Sequence, residues 1–370
     1  MMSIELLLDE ESDAAIRRQW DRLKDAGLPS LASHTGASNA PHITLMAAAS
    51  IGTTGLEPVL ASLPLPVRLG GWIVFGQPPR SLVLGRAVIA TSDGERVVDL
   101  APLTMVEILS DPAALAAARG IIDRASAAPE DLPLVADVRL LPPVRPGKIL
   151  CLGYNYRGHV AAGEDPTAGD PAYPDVFVKT PNVLGAPGAP VVLPVASSEV
   201  DYEGEIAIVI GRRAHAVPLE SALDHVAGYT LFNDVSDRHW QGRSSQWELG
   251  KCFDGFGPLG PELITADAVP DPQDLLVEVV RDGVVTVSQS TATMIFSMAF
   301  IVHYLSQVMT LEPGDIISTG TPQKLPEALE SHRALAHGDS VTIRVAGLGE
   351  LTTTFIDPTR TDPIGDPHDS

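Results

Sequence analysis

The chain has 370 residues, 45% of them hydrophobic and 19% charged, with 47 acidic against 25 basic side chains and a formal charge of −22. That balance argues against a nucleic-acid partner, whose phosphates demand Lys and Arg, and no apolar run reaches the length of a membrane span. Two cysteines, Cys151 and Cys252, cannot build a disulfide framework, which makes a reducing cytoplasm the expected compartment. The N-terminus turns acidic after a short apolar run, so it does not read as a signal peptide.

Residues 1 to 92 read as a small α/β segment. "SIELLLD" is a strand. "ESDAAIRRQWDRLKDAG" is a helix, with Ala14, Ile16, Trp20 and Leu23 at helical spacing and Gly27 as its stop. "HITLMAA" is a second strand, "LEPVLASLP" a short helix, and "VRLGGWIVFG" with "RSLVLGRAVIAT" a hairpin. Residues 93 to 146 hold a short strand, "GERVVDL", and an Ala-rich helix plus linker from "DPAALAAARGIIDRASAAPED". A larger body at 147 to 357 is rich in short strands and Gly/Pro turns, with "RDGV" as a hairpin turn. Its one long helix, "TMIFSMAFIVHYLSQVM", is apolar nearly all round and is expected to be buried. The tail from 358 is expected to be disordered.

"VDYEGEIAIVIG", residues 200 to 211, reads as a buried strand that nevertheless carries Asp201, Glu203 and Glu205 on one face. Unpaired, such carboxylates repel one another and cost several kcal/mol in desolvation. A hard divalent cation, Mg²⁺ or alternatively Mn²⁺ or Ca²⁺, would compensate them with oxygen ligands. Asp234, at the end of the apolar strand in "YTLFNDVSDRHW", offers a third ligand.

From "GKILCLGYNYRGH" to "GELTTTF" the residues resemble the fumarylacetoacetate hydrolase superfamily. "LGYNYRGH", "DVFVKTPN", "DYEGEIAIVIG", "NDVSDRHWQ…SQWELGKCFDGFGPLGP" and "MIFSMAFIVHYLSQVMTLEPGDIISTGTP" match its segments in order. The resemblance implies an α+β fold, a mixed β-sandwich roll preceded here by the small N-terminal α/β domain, and a homodimer. It implies that Glu203, Glu205 and Asp234 hold one divalent cation. It also implies a small 2-oxo acid as substrate, cleaved at a C–C bond through a metal-stabilised enolate. Lys251 would add a second positive charge at the carboxylate or enolate. Lys179, Tyr156, Arg157, Arg238, Gln246 and Thr321 would contact the substrate.

His159 is the candidate base, because a hydrolase must activate water near neutral pH and His titrates there. The family often places a Glu three residues after this His. Here that position is Ala162, and the nearest acid is Glu164. Decarboxylation or keto–enol isomerisation on the same site therefore stays open beside hydrolysis. A second departure is "GTPQKLPEAL", where a small-residue turn is replaced.

The N-terminal stretch resembles half of a 2H phosphoesterase or RNA 2′,5′-ligase-like domain, with His42 and Thr44 in an H-x-T pattern. That chemistry needs two such patterns, and no second one follows. A phosphate- or nucleotide-binding regulatory role is thus the alternative from another functional class.

Overall fold

A computed structural model describes residues 2–7, 42–48, 84–91, 94–138, 140–158 and 169–360. The expected helices at 11–27 and 56–64, the strand "VRLGGWIVFG", His159, Glu164 and residues 361–370 lie outside them. The chain divides into two units, Met1–Gly70 and Gly71–Ser370. In the first, β1 (Met2–Leu7) pairs antiparallel with β2 (His42–Ala48), Leu7 facing His42 across the ladder.

The second unit opens with a hairpin of β3 (Leu84–Thr91) and β4 (Gly94–Thr104), paired across the position where the sequence reading puts a segment boundary. Two helices follow. The first, α1 (Met105–Ser110), starts from a Thr104–Glu107 capping box, and α2 (Pro112–Ala125) starts from Asp111 with Pro112 in its first turn. Leu100, Ile108 and Ala118 close a small core there.

Among the described residues, the larger body is built from fourteen more strands. In chain order these are β5 (Ile149–Gly153), β6 (Asp175–Lys179), β7 (Leu184–Gly185), β8 (Val191–Val192), β9 (Val200–Asp201), β10 (Gly204–Ile210) and β11 (Val226–Asn233). They continue with β12 (Ser236–Asp237), β13 (Gly257–Thr265), β14 (Leu276–Arg281), β15 (Val284–Ser290), β16 (Ile316–Ser318), β17 (Ser340–Val345) and β18 (Gly349–Ile356). One sheet runs β6-β5-β16-β10-β11-β13-β7 and mixes parallel and antiparallel pairs; the other runs β15-β14-β17-β18-β8. Ile206, Ile208 and Leu231 of the first sheet share a core with Val277, Ile343 and Leu351 of the second. The sheets touch closely at Gly204, where a Cβ would lie 2.5 Å from Val279 Cγ2. A larger residue there would push β10, and the carboxylates beside it, off the second sheet.

Two sequence expectations change. The stretch 200–211 is not one strand: β9 pairs with β12, Tyr202 and Glu203 leave the ladder, and β10 pairs with β11 and β16. The long apolar helix shortens to α5 (Met298–Val308), because Ser297 caps it by accepting from the Phe300 amide. Only one face of α5 is buried, through Met298, Ile301, Val302 and Leu305. A stacked row runs from Phe296, just before the helix, through Phe300 and Tyr304 on it, and ends against Tyr173. The "RDGV" turn forms as expected, with Asp282 and Gly283 both at positive φ between Arg281 and Val284.

Behind that hairpin, Asp339 gathers Arg281 at 2.6 Å, Arg333 at 2.6 Å and the Ala336 amide at 2.8 Å. Burial opposes ionisation of Asp339, but these donors outweigh it and hold its carboxyl below the ordinary range. A depressed folded-state value means stability that is present above the unfolded pKa and lost as pH falls through the folded one. Asp339→Asn also takes from buried Arg281 its nearer counter-charge, leaving only Asp282 at 3.6 Å. We expect urea unfolding at pH 7 to show a loss of about 3 kcal/mol, with the gap to wild type shrinking below pH ~4. A gap that does not change with pH would remove Asp339 from this role.

Candidate metal centre and active site

Glu203, Glu205 and Asp234 come together from three places. Glu205 sits on β10, Glu203 in the break before it, and Asp234 directly after β11. The Asp234 amide donates to the Glu203 carbonyl at 2.9 Å, which locks the two segments together. One carboxylate oxygen from each residue lies within 4.8 Å of the others. Glu205 and Asp234 are buried and Glu203 is half-buried.

Cations answer two of the three acids. Lys251 Nζ donates to Glu203 at 2.6 Å and to Asp234 at 2.7 Å. Lys179 donates to the other oxygen of Asp234 and to the Val235 carbonyl at 3.0 Å. Both lysines are sealed, with side-chain exposures of 0% for Lys179 and 2% for Lys251. Burial favours neutral Lys251, but Asp234 and Glu203 outweigh it and keep the ammonium charged. Burial also opposes ionisation of Glu203, yet Lys251 and Arg238 hold its carboxyl well below the usual range.

Glu205 differs. Its Oε2 accepts only neutral donors here, the Ser318 hydroxyl and the Gly320 amide. Burial, then the charges of Asp234 and Glu203, push its carboxyl well above the carboxylate range. Among the described residues no lysine or arginine pairs with Glu205, so it is the acid of the three left for an ion to meet. An all-carboxylate donor set within one ion's reach fits a hard divalent cation.

Local structure explains each placement. Lys251 ends α4 (Glu248–Lys251), which packs backbone to backbone on α3 (Arg238–Gln241). Gly250 permits this, since a Cβ would meet the Asp237 carbonyl and the Gln241 amide nitrogen at 2.5 Å. Lys179 ends β6, with Phe232 beneath its ammonium at 5.8 Å. Asn155 receives the Phe296 amide and donates to the Thr319 and Phe296 carbonyls. That side chain pins the turn that presents Gly320 to Glu205.

The other expected site residues divide. Arg238 is at the centre: its guanidinium reaches Glu203 at 2.7 Å and Asp201 at 2.9 Å. Thr321 hydrogen-bonds the Gly204 carbonyl at 3.1 Å, between the two glutamates. Arg157 pairs with Asp170 at 2.8 Å. Tyr156, expected near the mouth, is 1% exposed and bridged to Met294, and burial together with the Glu205 charge pushes its hydroxyl up. Gln246 lies exposed in the loop between α3 and α4. The glutamine beside the site is Gln241, whose Oε1 accepts from Arg238 at 2.9 Å. Helical i, i+3 spacing from Arg238 would have singled it out. Asp201 and Lys324 also belong to the cluster. Lys324 Nζ contacts Asp201 Oδ1 at 2.5 Å, and with Arg238 it overcomes burial to hold Asp201 below its ordinary range. Burial lowers Lys324 itself, with Asp201 offsetting part of the effect.

Among the described residues no helix is long and apolar enough to cross a membrane. A family model described as "Fumarylacetoacetate (FAA) hydrolase C-terminal" matches residues 148–356. The mitochondrial oxaloacetate tautomerase FAHD2A of Bos taurus is 39% identical over 279 residues, covering 72% of this chain and 86% of that protein. Two solved structures align with TM-scores of 0.59. One is 5-carboxymethyl-2-hydroxymuconate delta-isomerase from Mycobacterium smegmatis, 30% identical over 75% of this chain and 95% of that one. The other is maleylpyruvate hydrolase from Sphingobium sp. SYK-6 in complex with manganese(II) ion and pyruvate, 29% identical over 75% of this chain and 98% of that one. The N-terminal likeness to a 2H phosphoesterase lies outside the family match and mostly outside the described residues. A carboxylate triad flanked by two sealed lysines, on a two-sheet body that this family model spans, means that the chain belongs to the fumarylacetoacetate hydrolase family.

Proposed function

We propose that this chain is a divalent-metal-dependent enzyme that cleaves a C–C bond in acylpyruvate-type 2-oxo acids. The observation that carries the reading is the meeting of Glu203, Glu205 and Asp234 within 4.8 Å, with Lys251 between two of them. When bound there, Mg²⁺ or Mn²⁺ supplies Lewis-acid stabilisation of an enolate. The protein's part is to orient and to hold charge. Lys251, fixed by α4, places an ammonium beside the reacting carboxylate or enolate without reorganising. Arg238 and Gln241 present donors at the rim, and Thr321 steadies the strand between the glutamates. His159 takes a proton from water and Glu164 orients the imidazole. The chain works as a cytoplasmic homodimer.

Tautomerisation or decarboxylation on the same residues is the second reading, supported by the likeness to an oxaloacetate tautomerase and by Ala162 where the family often carries a glutamate. The two readings differ at one residue. Hydrolysis needs a base on water, whereas tautomerisation needs mainly the stabilised enolate. His159→Ala is expected to lower acylpyruvate hydrolysis by roughly 10²- to 10⁴-fold, the usual range for a general base, and to spare oxaloacetate tautomerisation. Equal loss of both activities makes His159 a binding residue. Loss of neither shifts the assignment to the tautomerase.

A further inference from the structure

We propose that Trp247 is a positioning residue that sets where the Lys251 ammonium meets the triad, with Gly153 as the seat of its indole. This rests on the reading of Lys251 as the fixed charge of a metal-dependent centre.

The short helix α4 cannot place Lys251 unaided. It is a single turn of four residues, and an isolated turn of that length is not stable by itself. Gly250 fixes its far end by letting it lie against α3. Its start has no side-chain cap. The residue there is Trp247, whose carbonyl accepts from the Gly250 amide at 2.9 Å.

What holds Trp247 is its ring. The six-membered edge of the indole rests on Gly153, the last residue of β5, where a Cβ would lie 2.7 Å from Cζ3 and 2.9 Å from Cη2. Any larger residue at 153 therefore displaces the ring. Phe177 of β6 and Tyr154 each meet the indole edge to face at 72°, with ring centroids 5.5 and 6.0 Å away. Tyr154 reaches it from a backbone φ of 50°, a left-handed conformation that persists only where the surroundings fix it.

Phe177 carries the placement on to the charge. The same ring that meets Trp247 lies 4.8 Å from Lys251 Nζ. That ammonium is sealed and has two bonds to keep, to Glu203 at 2.6 Å and to Asp234 at 2.7 Å. A displaced indole moves both supports of Lys251, the start of α4 and the Phe177 ring. A shift of about 1 Å in a group that meets the reacting atoms can cost on the order of 10²-fold in rate.

The test uses Gly153→Ala, whose new methyl has Trp247 as its nearest neighbour and the Asp175 Cβ next, at 3.7 Å. In the full chain loaded with Mn²⁺, kcat on acylpyruvate or oxaloacetate is expected to fall roughly tenfold to hundredfold, with KM and Mn²⁺ affinity held within several-fold. In Gly153→Ala/Trp247→Phe the shorter ring leaves room for the methyl, and kcat returns to within several-fold of wild type. Trp247→Leu empties the seat and loses kcat as Gly153→Ala does, but adds no further loss to Lys251→Met, because the two act through one group. Unchanged kcat in both single variants, or a Trp247→Leu loss that adds in full to that of Lys251→Met, overturns the proposal. Crystal structures of wild type and Gly153→Ala give a readout that needs no turnover. The expected result is a shifted indole with Lys251 Nζ out of hydrogen-bond reach of Glu203, Asp234 or both. A shifted indole with both bonds intact overturns the proposal as well. Unchanged kcat in Lys251→Met would instead refute the reading of Lys251 as the reacting charge, and the two structures would still decide whether Trp247 places it.

Discussion

Replacing Asp234 with alanine abolishes turnover and lowers thermal stability together. Asp234 is the one carboxylate that both inner lysines use, and all three side chains are cut off from solvent. Without it, Lys179 keeps only the Val235 carbonyl and Lys251 only Glu203. Removing one partner of a buried ion pair costs about 3–5 kcal/mol, because the remaining charge is left desolvated. For a unit of this size the melting temperature should fall on the order of 10 °C. Divalent ions should no longer raise it, since a ligand of the triad is gone. Calorimetry of wild type and Asp234→Ala, with and without Mn²⁺, reads both effects. A variant that melts with wild type and still gains stability from Mn²⁺ would contradict the geometry.

Lys251→Met acts on the other side of the balance. The side chain keeps most of its volume in the space beside Phe177, where the ammonium sits 4.8 Å from the ring centroid. The triad keeps all three ligands, so Mn²⁺ binding survives. What disappears is the fixed charge that meets negative charge developing in the substrate. Losing one preorganised donor of this kind typically costs about 10²- to 10³-fold in kcat. The expected signature is a fall of that size in kcat with metal affinity held within several-fold. Loss of metal affinity in step with kcat would make Lys251 a structural counter-ion.

Much of this site is legible locally. Glu203 and Glu205 stand out because an apolar strand carries carboxylates that nothing in its own segment neutralises. Lys251 stands out because a glycine-rich apolar stretch is a poor place for a surface lysine. The partners that complete the cluster carry no such local mark. Lys324 meets Asp201 across 123 positions of sequence, and only the packing of the second sheet brings them together. Gln241 is marked only by its i, i+3 spacing from Arg238, because α3 is a single turn of four residues and carries no longer periodic pattern. Tyr156 is expected at the mouth through the family resemblance, and its bridge to Met294 is a long-range contact that its own segment does not announce. Continuous alternation hides the break at Tyr202 and Glu203. The break matters because it lets Asp201 turn to Arg238 and Lys324 while Glu205 stays with the triad.

The central claim is that Glu203, Glu205 and Asp234 hold one divalent cation. Counting bound Mn²⁺ by equilibrium dialysis, on wild type and on Glu205→Gln, tests it most directly. The substitution keeps the side chain's shape and removes only its charge. One Mn²⁺ per chain in wild type and loss of that ion in Glu205→Gln is the expected result. No bound ion in wild type, or the same stoichiometry and affinity in both proteins, would contradict it.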